Sequence, residues 1–423
     1  MINANYERLG SAPSAIRELF QYGLGRKAEI GPENVYDFSL GNPNVPVPQE
    51  VRDVIAELAA TTQSDPAAAT VLHGYTPGPG AFPVRQAIAD SLNRRFAADI
   101  AGEKGRGFGV AAQARDFYLT VGAAPALLLS LAAVTNPGDE VIVIAPYFPE
   151  YRVWIEQLDC TCVEVQADPH TFQPDVTAIA AAITPRTAAL IVNSPNNPVG
   201  AVYTRENLDF LAASLEAAAT VFERPIYLIT DEPYRELTYG AEVPYIPAIY
   251  ARTIMGYSYS KSFSLAGERI GYVFVPEAFP EAARVQAAVA GAGRAFGYVC
   301  APSLWQEVIR RCVDVQPDVQ PYAKNRAALT AILDECGYTY VQPDGAFYLW
   351  MKALEPDAKA FCERAKAHEI LIVPSDSFGV GGWTSISYCV SYDTIVNSAP
   401  AFAALAAEYR GSGSVPQTTC NVR

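Results

Sequence analysis

The chain has 423 residues, half of them hydrophobic and 18% charged, which suits a large packed core and excludes long disorder away from the ends. Its formal net charge of −14 and pI near 4.8 argue against nucleic acid or an anionic membrane surface as partner. No apolar run approaches the roughly 20 residues of a membrane-spanning helix, so no membrane association is expected.

Residues 1–20 mix Glu7, Arg8, Arg17 and Glu18 with apolar residues, unlike a secretory leader, and the expected location is cytoplasmic. From about residue 115 to 275, short apolar runs alternate with helical patterns. The runs 117–121, 141–144, 188–192, 226–230 and 270–275 read as strands, and 124–134, 149–158 and 205–222 as helices. Continuous β-branched runs separated by helices predict an α/β large domain, its mostly parallel sheet covered by helices on both faces. In such sheets ligands sit at the carboxyl ends of the strands.

Beyond residue 300 the pattern changes to a smaller α+β domain. Helical stretches at 302–313 and 322–336 precede strand-like pieces at 338–342, 347–351, 370–373 and 385–390, and the early piece 36–40 can join them. The expected division is 51–300 for the large domain and 1–50 with 301–423 for the small one. The tail from Gly411 is small and polar and is expected to fray.

Eight scattered cysteines, with no Cys-x-x-Cys pair, read as reduced and mostly core residues. The histidines are only His73, His170 and His368, too far apart in the chain to suggest a triad or a zinc site, so no metal is expected.

Five motifs follow strands. In TVGAAP (residues 120–125) small residues open a helix, where backbone N–H groups can cradle phosphate, though such turns are ordinary alone. PYFPEY (146–151) offers Phe148 as an aromatic face for a planar ring, or simply as core. NSPNNPVG (193–200) is a turn sequence that can also present the Asn197 amide to a ligand. In DEPYR (231–235), Asp231 either caps a turn or keeps a pyridine nitrogen protonated, with Tyr234 as a nearby hydrogen-bond donor.

The most informative segment is SYSKSFSLAGERIGY (258–272). Lys261 lies in a hydroxyl-rich loop between apolar stretches, where desolvation can free its amine to attack an aldehyde. Ser258 and Arg269 can hold a dianionic phosphate beside it.

Together these motifs closely resemble the fold-type I pyridoxal 5'-phosphate (PLP) aminotransferases of class I/II, the aspartate aminotransferase group. The resemblance runs from FSLGNP (38–43) through HGYT (73–76) and PDGAFYL (343–349) to ISYCVS (386–391). It implies Lys261 as the Schiff-base lysine and proton shuttle, Asp231 as partner of the ring nitrogen, and Asn197 and Tyr234 at the ring hydroxyl. It further implies Phe148 stacked on the ring, and Ala123, Ala124, Ser258 and Arg269 at the phosphate. Tyr75 resembles the tyrosine that reaches the neighbouring subunit's phosphate, which implies a homodimer with shared active sites. Gly41 falls where the N-terminal segment closes over a small amino-group substrate, whose Cα would pass through quinonoid chemistry.

One position departs from the family. Members place an arginine before the last strand to bind the substrate carboxylate; here the stretch is GWTSISY (382–388), with Ser385 in its place. No arginine occurs between Arg364 and Arg410 to replace it. One expectation is a substrate that is an amine or a large molecule gripped elsewhere, through Arg294 or Arg235 for example; another is an ordinary transaminase in which a different residue takes over. The alternative is PLP-dependent elimination, replacement or carbon–carbon bond formation in biosynthesis, on a substrate such as S-adenosylmethionine.

Overall fold

The apolar runs of the mid-chain form one seven-stranded sheet in the computed structural model, which describes residues 2–11, 15–103 and 110–411. After a short β1 (Tyr36–Asp37), its strands are β2 (Phe117–Thr120), β3 (Glu140–Ala145), β4 (Thr161–Gln166), β5 (Thr187–Asn193), β6 (Tyr227–Asp231), β7 (Thr253–Ser258) and β8 (Gly271–Phe274). They lie in the order β2-β8-β7-β6-β5-β3-β4, parallel except that β8 runs against both its neighbours.

Every residue of β3 and β5 is buried, which explains why these strands read as unbroken apolar runs rather than alternating ones. On β5, Ala189 and Ile191 pack beneath helix Ala123–Val134, whereas Leu190 and Val192 pack against Leu208 and Leu211 of helix Arg205–Val221. Burying each such Leu, Ile or Val contributes roughly 1.5–3 kcal/mol.

Two strands were absent from the sequence reading. β4 is the sheet's edge, and its exposed Thr161, Glu164 and Gln166 break the apolar run. β7 is interrupted by Gly256, where a Cβ would lie 3.0 Å from Leu127; the bare Cα lets helix Ala123–Val134 approach the sheet.

A second sheet is built from β9 (Tyr340–Val341), β10 (Tyr348–Lys352), β12 (Val373–Pro374) and β13 (Trp383–Ser387), in the antiparallel order β12-β13-β10-β9. The expected strand 370–373 divides: β11 (Ile370–Leu371) pairs in parallel with β1, and β12 joins the four-stranded sheet. The expected strand 385–390 is displaced toward the N-terminus, ending at Ser387. Phe38, Leu333, Phe347, Leu349, Ile386 and Phe402 form the core of this unit.

Helix Ser303–Cys312 packs away from that core. Its Val308, Ile309 and Cys312 sit with Val51 and Leu58 of helix Gln49–Ser64 and with Ile88 and Leu92 of helix Phe82–Arg95.

Near the N-terminus, helix Ala15–Ile30 docks on the smaller unit. Gly23 lies so close to β1 and β11 that a Cβ would be 2.9 Å from both Asp37 and Leu371. Lys27 pairs with Asp37 at 2.6 Å, and Arg26 with Glu369 at 2.6 Å. Among the described residues no helix is long and apolar enough to cross a membrane. The tail beyond residue 411, with Cys420, lies outside the described residues.

Candidate active site

The carboxyl ends of β5, β6 and β7 open into a cavity of about 430 Å³, walled on the far side by residues of β10, β12 and β13. Lys261 enters it from the loop after β7. Its Nζ donates a hydrogen bond of 2.7 Å to the carbonyl of Gly41 and stands 5.4 Å from the Phe347 ring centre and 5.9 Å from that of Tyr234. Burial lowers its pKa to about 8; Arg269 adds to the effect and Asp231 opposes it. Roughly a tenth of this amine is therefore neutral and nucleophilic at pH 7, far more than for an ordinary lysine.

Asp231, the last residue of β6, is 6% exposed. Its Oδ2 accepts a hydrogen bond of 2.5 Å from the hydroxyl of Tyr151, while Oδ1 is buried with no partner. Burial raises the carboxyl pKa to about 7, against the Tyr151 hydrogen bond and the charge of Lys261. A buried, half-satisfied carboxylate is costly, so it marks a place where a cationic or donating group is missing from the chain itself.

A third corner is built for an anion. Helix Ala123–Val134 begins there, and Ala123 and Ala124 line the cavity at its N-terminus. Gly122 precedes it at φ +97°, with its carbonyl accepting from Thr120 Oγ1 at 2.8 Å, and any Cβ at Gly122 would clash with the guanidinium of Arg269. Arg269 in turn donates to Ser260 Oγ at 3.2 Å and to the Ala266 carbonyl at 2.9 Å, and Ser258 lines the same wall.

Asn197 also lines the cavity; Asn193 sets its position, accepting from the Asn197 N–H at 2.7 Å and donating to the Asp231 carbonyl at 2.8 Å. Tyr234 is buried, its hydroxyl 3.1 Å from that of Tyr348. Phe148 joins an aromatic group with Tyr151 and Trp154, at ring-centre distances of 5.8 and 6.2 Å. Gly41 must be a glycine because any Cβ would collide with the Tyr348 hydroxyl. Ser385, on β13 between Val373 and Trp350, lines the wall with a hydroxyl and no charge.

The chain therefore gathers every residue that the resemblance implied, but one, into a single cavity. Tyr75 stays outside it, 90% exposed. Neither arginine suggested as a replacement clamp is there. Arg235 is buried elsewhere, paired with Glu232 at 2.8 Å and lying over the Tyr257 ring, and Arg294 is exposed on helix Ala282–Ala295. The lining or supporting residues not singled out from the sequence for this site include Tyr151, Ser260, Tyr348 and Arg17. Tyr151, Ser260 and Tyr348 lie inside the motifs at 146–151, 258–272 and 343–349, whereas nothing local to Arg17 signals a site.

A mostly parallel α/β sheet carrying a half-buried lysine, a buried carboxylate and an anion cradle at its carboxyl edge, capped by a smaller sheet unit, defines an aminotransferase-like enzyme. The profile of the family described as "Aminotransferase class I and II" matches residues 33–399. An aspartate/prephenate aminotransferase of Thermus thermophilus is 30% identical over 376 residues, 86% of this chain and 89% of that protein. The crystal structure of an aminotransferase from Eubacterium rectale is similar with a TM-score of 0.90 and 47% identity, covering 97% of this chain and 99% of that one. An aspartate aminotransferase of Thermus thermophilus with maleate gives a TM-score of 0.79 at 27% identity, covering 96% and 100%. The chain belongs to the class I and II aminotransferases, fold-type I enzymes that depend on PLP. It is an aminotransferase, and the elimination, replacement or bond-forming alternative is not favoured by these relatives.

Proposed function

We propose that Lys261 holds the aldehyde of pyridoxal 5'-phosphate and moves the proton during transfer of an amino group from a small amino-group substrate. The observation that carries this reading is the shared cavity of the Lys261 amine and the unpartnered Asp231 Oδ1. The residues fit the cofactor on features independent of the family. A protonated pyridine nitrogen is the donor that Oδ1 lacks, and the corner at Gly122, Ala123, Ala124, Ser258 and Arg269 has the N–H groups, hydroxyls and guanidinium that a phosphate requires.

When bound, the cofactor supplies an electron sink for the bonds at the substrate's Cα. Asp231 would keep the ring nitrogen protonated, and a cation there would draw its carboxyl back from about 7 toward full ionisation. Asn197 and Tyr234 would donate to the ring hydroxyl, and Phe148 would cover one face of the ring. Lys261 Nζ would take the α-proton of the substrate, a role suited to an amine with its pKa near 8. Gly41 would bring the N-terminal segment over the substrate, and Ser385 would face it from β13.

The same reading makes the enzyme a homodimer in which Tyr75 reaches the neighbouring subunit's phosphate. Support comes from the exposure of Tyr75 together with Val71, Phe82 and Val299, an amount of bare apolar surface suited to a partner. We place the protein in the cytoplasm, consistent with its free thiols. We also draw the division into two domains as expected, except that the packing of helix Ser303–Cys312 supports assigning it to the large one.

Replacing Lys261 by Ala tests the reading. Cofactor binding should persist while the half-reaction with amino acids slows by roughly 10³-fold or more. A Lys261→Ala enzyme that transaminates at the wild-type rate would overturn it.

A further inference from the structure

An amino acid brings its α-carboxylate into the cavity beside Lys261, and an anion withdrawn from water there requires a cationic partner. Among the described residues, three cationic side chains line the cavity: Lys261, Arg269 and Arg17. In the reading above, which this inference rests on, Lys261 takes the cofactor's aldehyde and Arg269 its phosphate. Ser385 adds only a hydroxyl.

We propose that Arg17, in the first turns of helix Ala15–Ile30, binds the substrate's carboxylate in place of the charge absent at position 385. The helix is positioned for this. Its Ile16 and Leu19 pack against the apolar cluster that contains Val373 and Trp350, the two residues that flank Ser385 across the sheet. Its far end is fixed to β1 and β11 by the close approach of Gly23 and by the Lys27–Asp37 pair at 2.6 Å. Arg17 is thus carried by the same unit as Ser385 and enters the same cavity. A guanidinium can meet a carboxylate with two parallel hydrogen bonds, which a serine hydroxyl cannot reproduce. The clamp acts only on the carboxylate, so it separates an amino acid from its decarboxylated amine.

The test begins with the wild-type holoenzyme and the twenty common L-amino acids, each scored by the change in the cofactor's absorption. The best-reacting amino acid and its decarboxylated amine are then titrated into wild type, Arg17→Ala, and Arg17→Ala combined with Ser385→Arg. Arg17→Ala should raise the half-saturating concentration of the amino acid roughly 30-fold and leave that of the amine within about twofold. Adding Ser385→Arg should recover at least about tenfold of the loss, because it returns a guanidinium to the same cavity. Damage to the helix alone would weaken both titrants equally and would not be repaired at position 385; that pattern, or no change at all, overturns the proposal. A wild type that takes up amines but no amino acid removes the proposal and leaves the cofactor reading standing. A wild type whose cofactor responds to neither removes both.

Discussion

The hydroxyl of Tyr151 donates to Asp231 Oδ2 at 2.5 Å and leaves Oδ1 buried and unpartnered, so the chain satisfies one half of this carboxylate and leaves the other for a ligand. The bond favours the ionised form. Tyr151→Phe should therefore push the carboxyl pKa above its value of about 7, so that less of it is charged at neutral pH. Across the kcat–pH profile of the loaded enzyme, where the ring's cation would keep the carboxylate ionised, loss of this positioning bond should lower kcat roughly tenfold. A profile that superposes on the wild type would show that this hydrogen bond has no part in the chemistry.

Lys261 makes a prediction for the cofactor-free protein. Its pKa falls from an ordinary 10.5 to about 8 on folding, so the unfolded chain holds the proton more tightly. The stability linked to this group is complete above pH 10.5, declines as pH falls, and is fully lost below about 8. Lys261→Met should then stabilise the cofactor-free protein at pH 7 by on the order of 3 kcal/mol, a gain that shrinks as pH rises above 8. Thermal denaturation of both proteins across this range measures it. Asp231, raised on folding, has the opposite sign: its linked stability is full below pH 4 and is lost as pH rises through about 7.

Gly41 and Tyr348 are matched in shape, since any side chain at 41 meets the tyrosine hydroxyl. Gly41→Ala should displace the segment whose carbonyl accepts from Lys261, lowering kcat/KM by roughly tenfold or more. Combining it with Tyr348→Ala should recover part of the loss. Steady-state kinetics of the two variants decides, and an unimpaired Gly41→Ala enzyme would refute the fit.

Gly122 should be needed for cofactor retention. At φ +97° and ψ −177°, a region open essentially to glycine alone, any other residue is strained by roughly 1–3 kcal/mol, and its Cβ would push Arg269 out of the anion corner. Gly122→Ala is expected to weaken PLP binding at least about tenfold in an absorbance titration, with secondary structure retained by circular dichroism. Unchanged affinity would mean that this corner does not hold the phosphate.

Much of the site could be read from the sequence because its residues sit where regular structure stops. Asp231 and Asn193 are the last residues of β6 and β5, so a strand pattern also located their loops, whereas Lys261, three residues after the hidden β7, was legible only through the motif around it. Tyr151 escaped because its partner is 80 residues away and only the fold joins them. Arg17 escaped for a related reason: the cavity it lines is assembled from segments near residues 40, 123, 231, 261 and 385. β4 was hidden by the polar residues that a sheet edge permits, and β7 by the glycine that helix packing requires. Helix Ser303–Cys312 had the right pattern, but an amphipathic face does not say which core it will join.

The assignment of the cofactor to Lys261 can be checked most directly by covalent trapping. The purified enzyme is loaded with PLP, reduced with borohydride, digested, and its peptides are weighed by mass spectrometry. The account predicts one stoichiometric pyridoxyl-phosphate adduct, on the peptide containing Lys261, and none in a Lys261→Ala control. An adduct on a different lysine, or no adduct on a fully loaded enzyme, would contradict it.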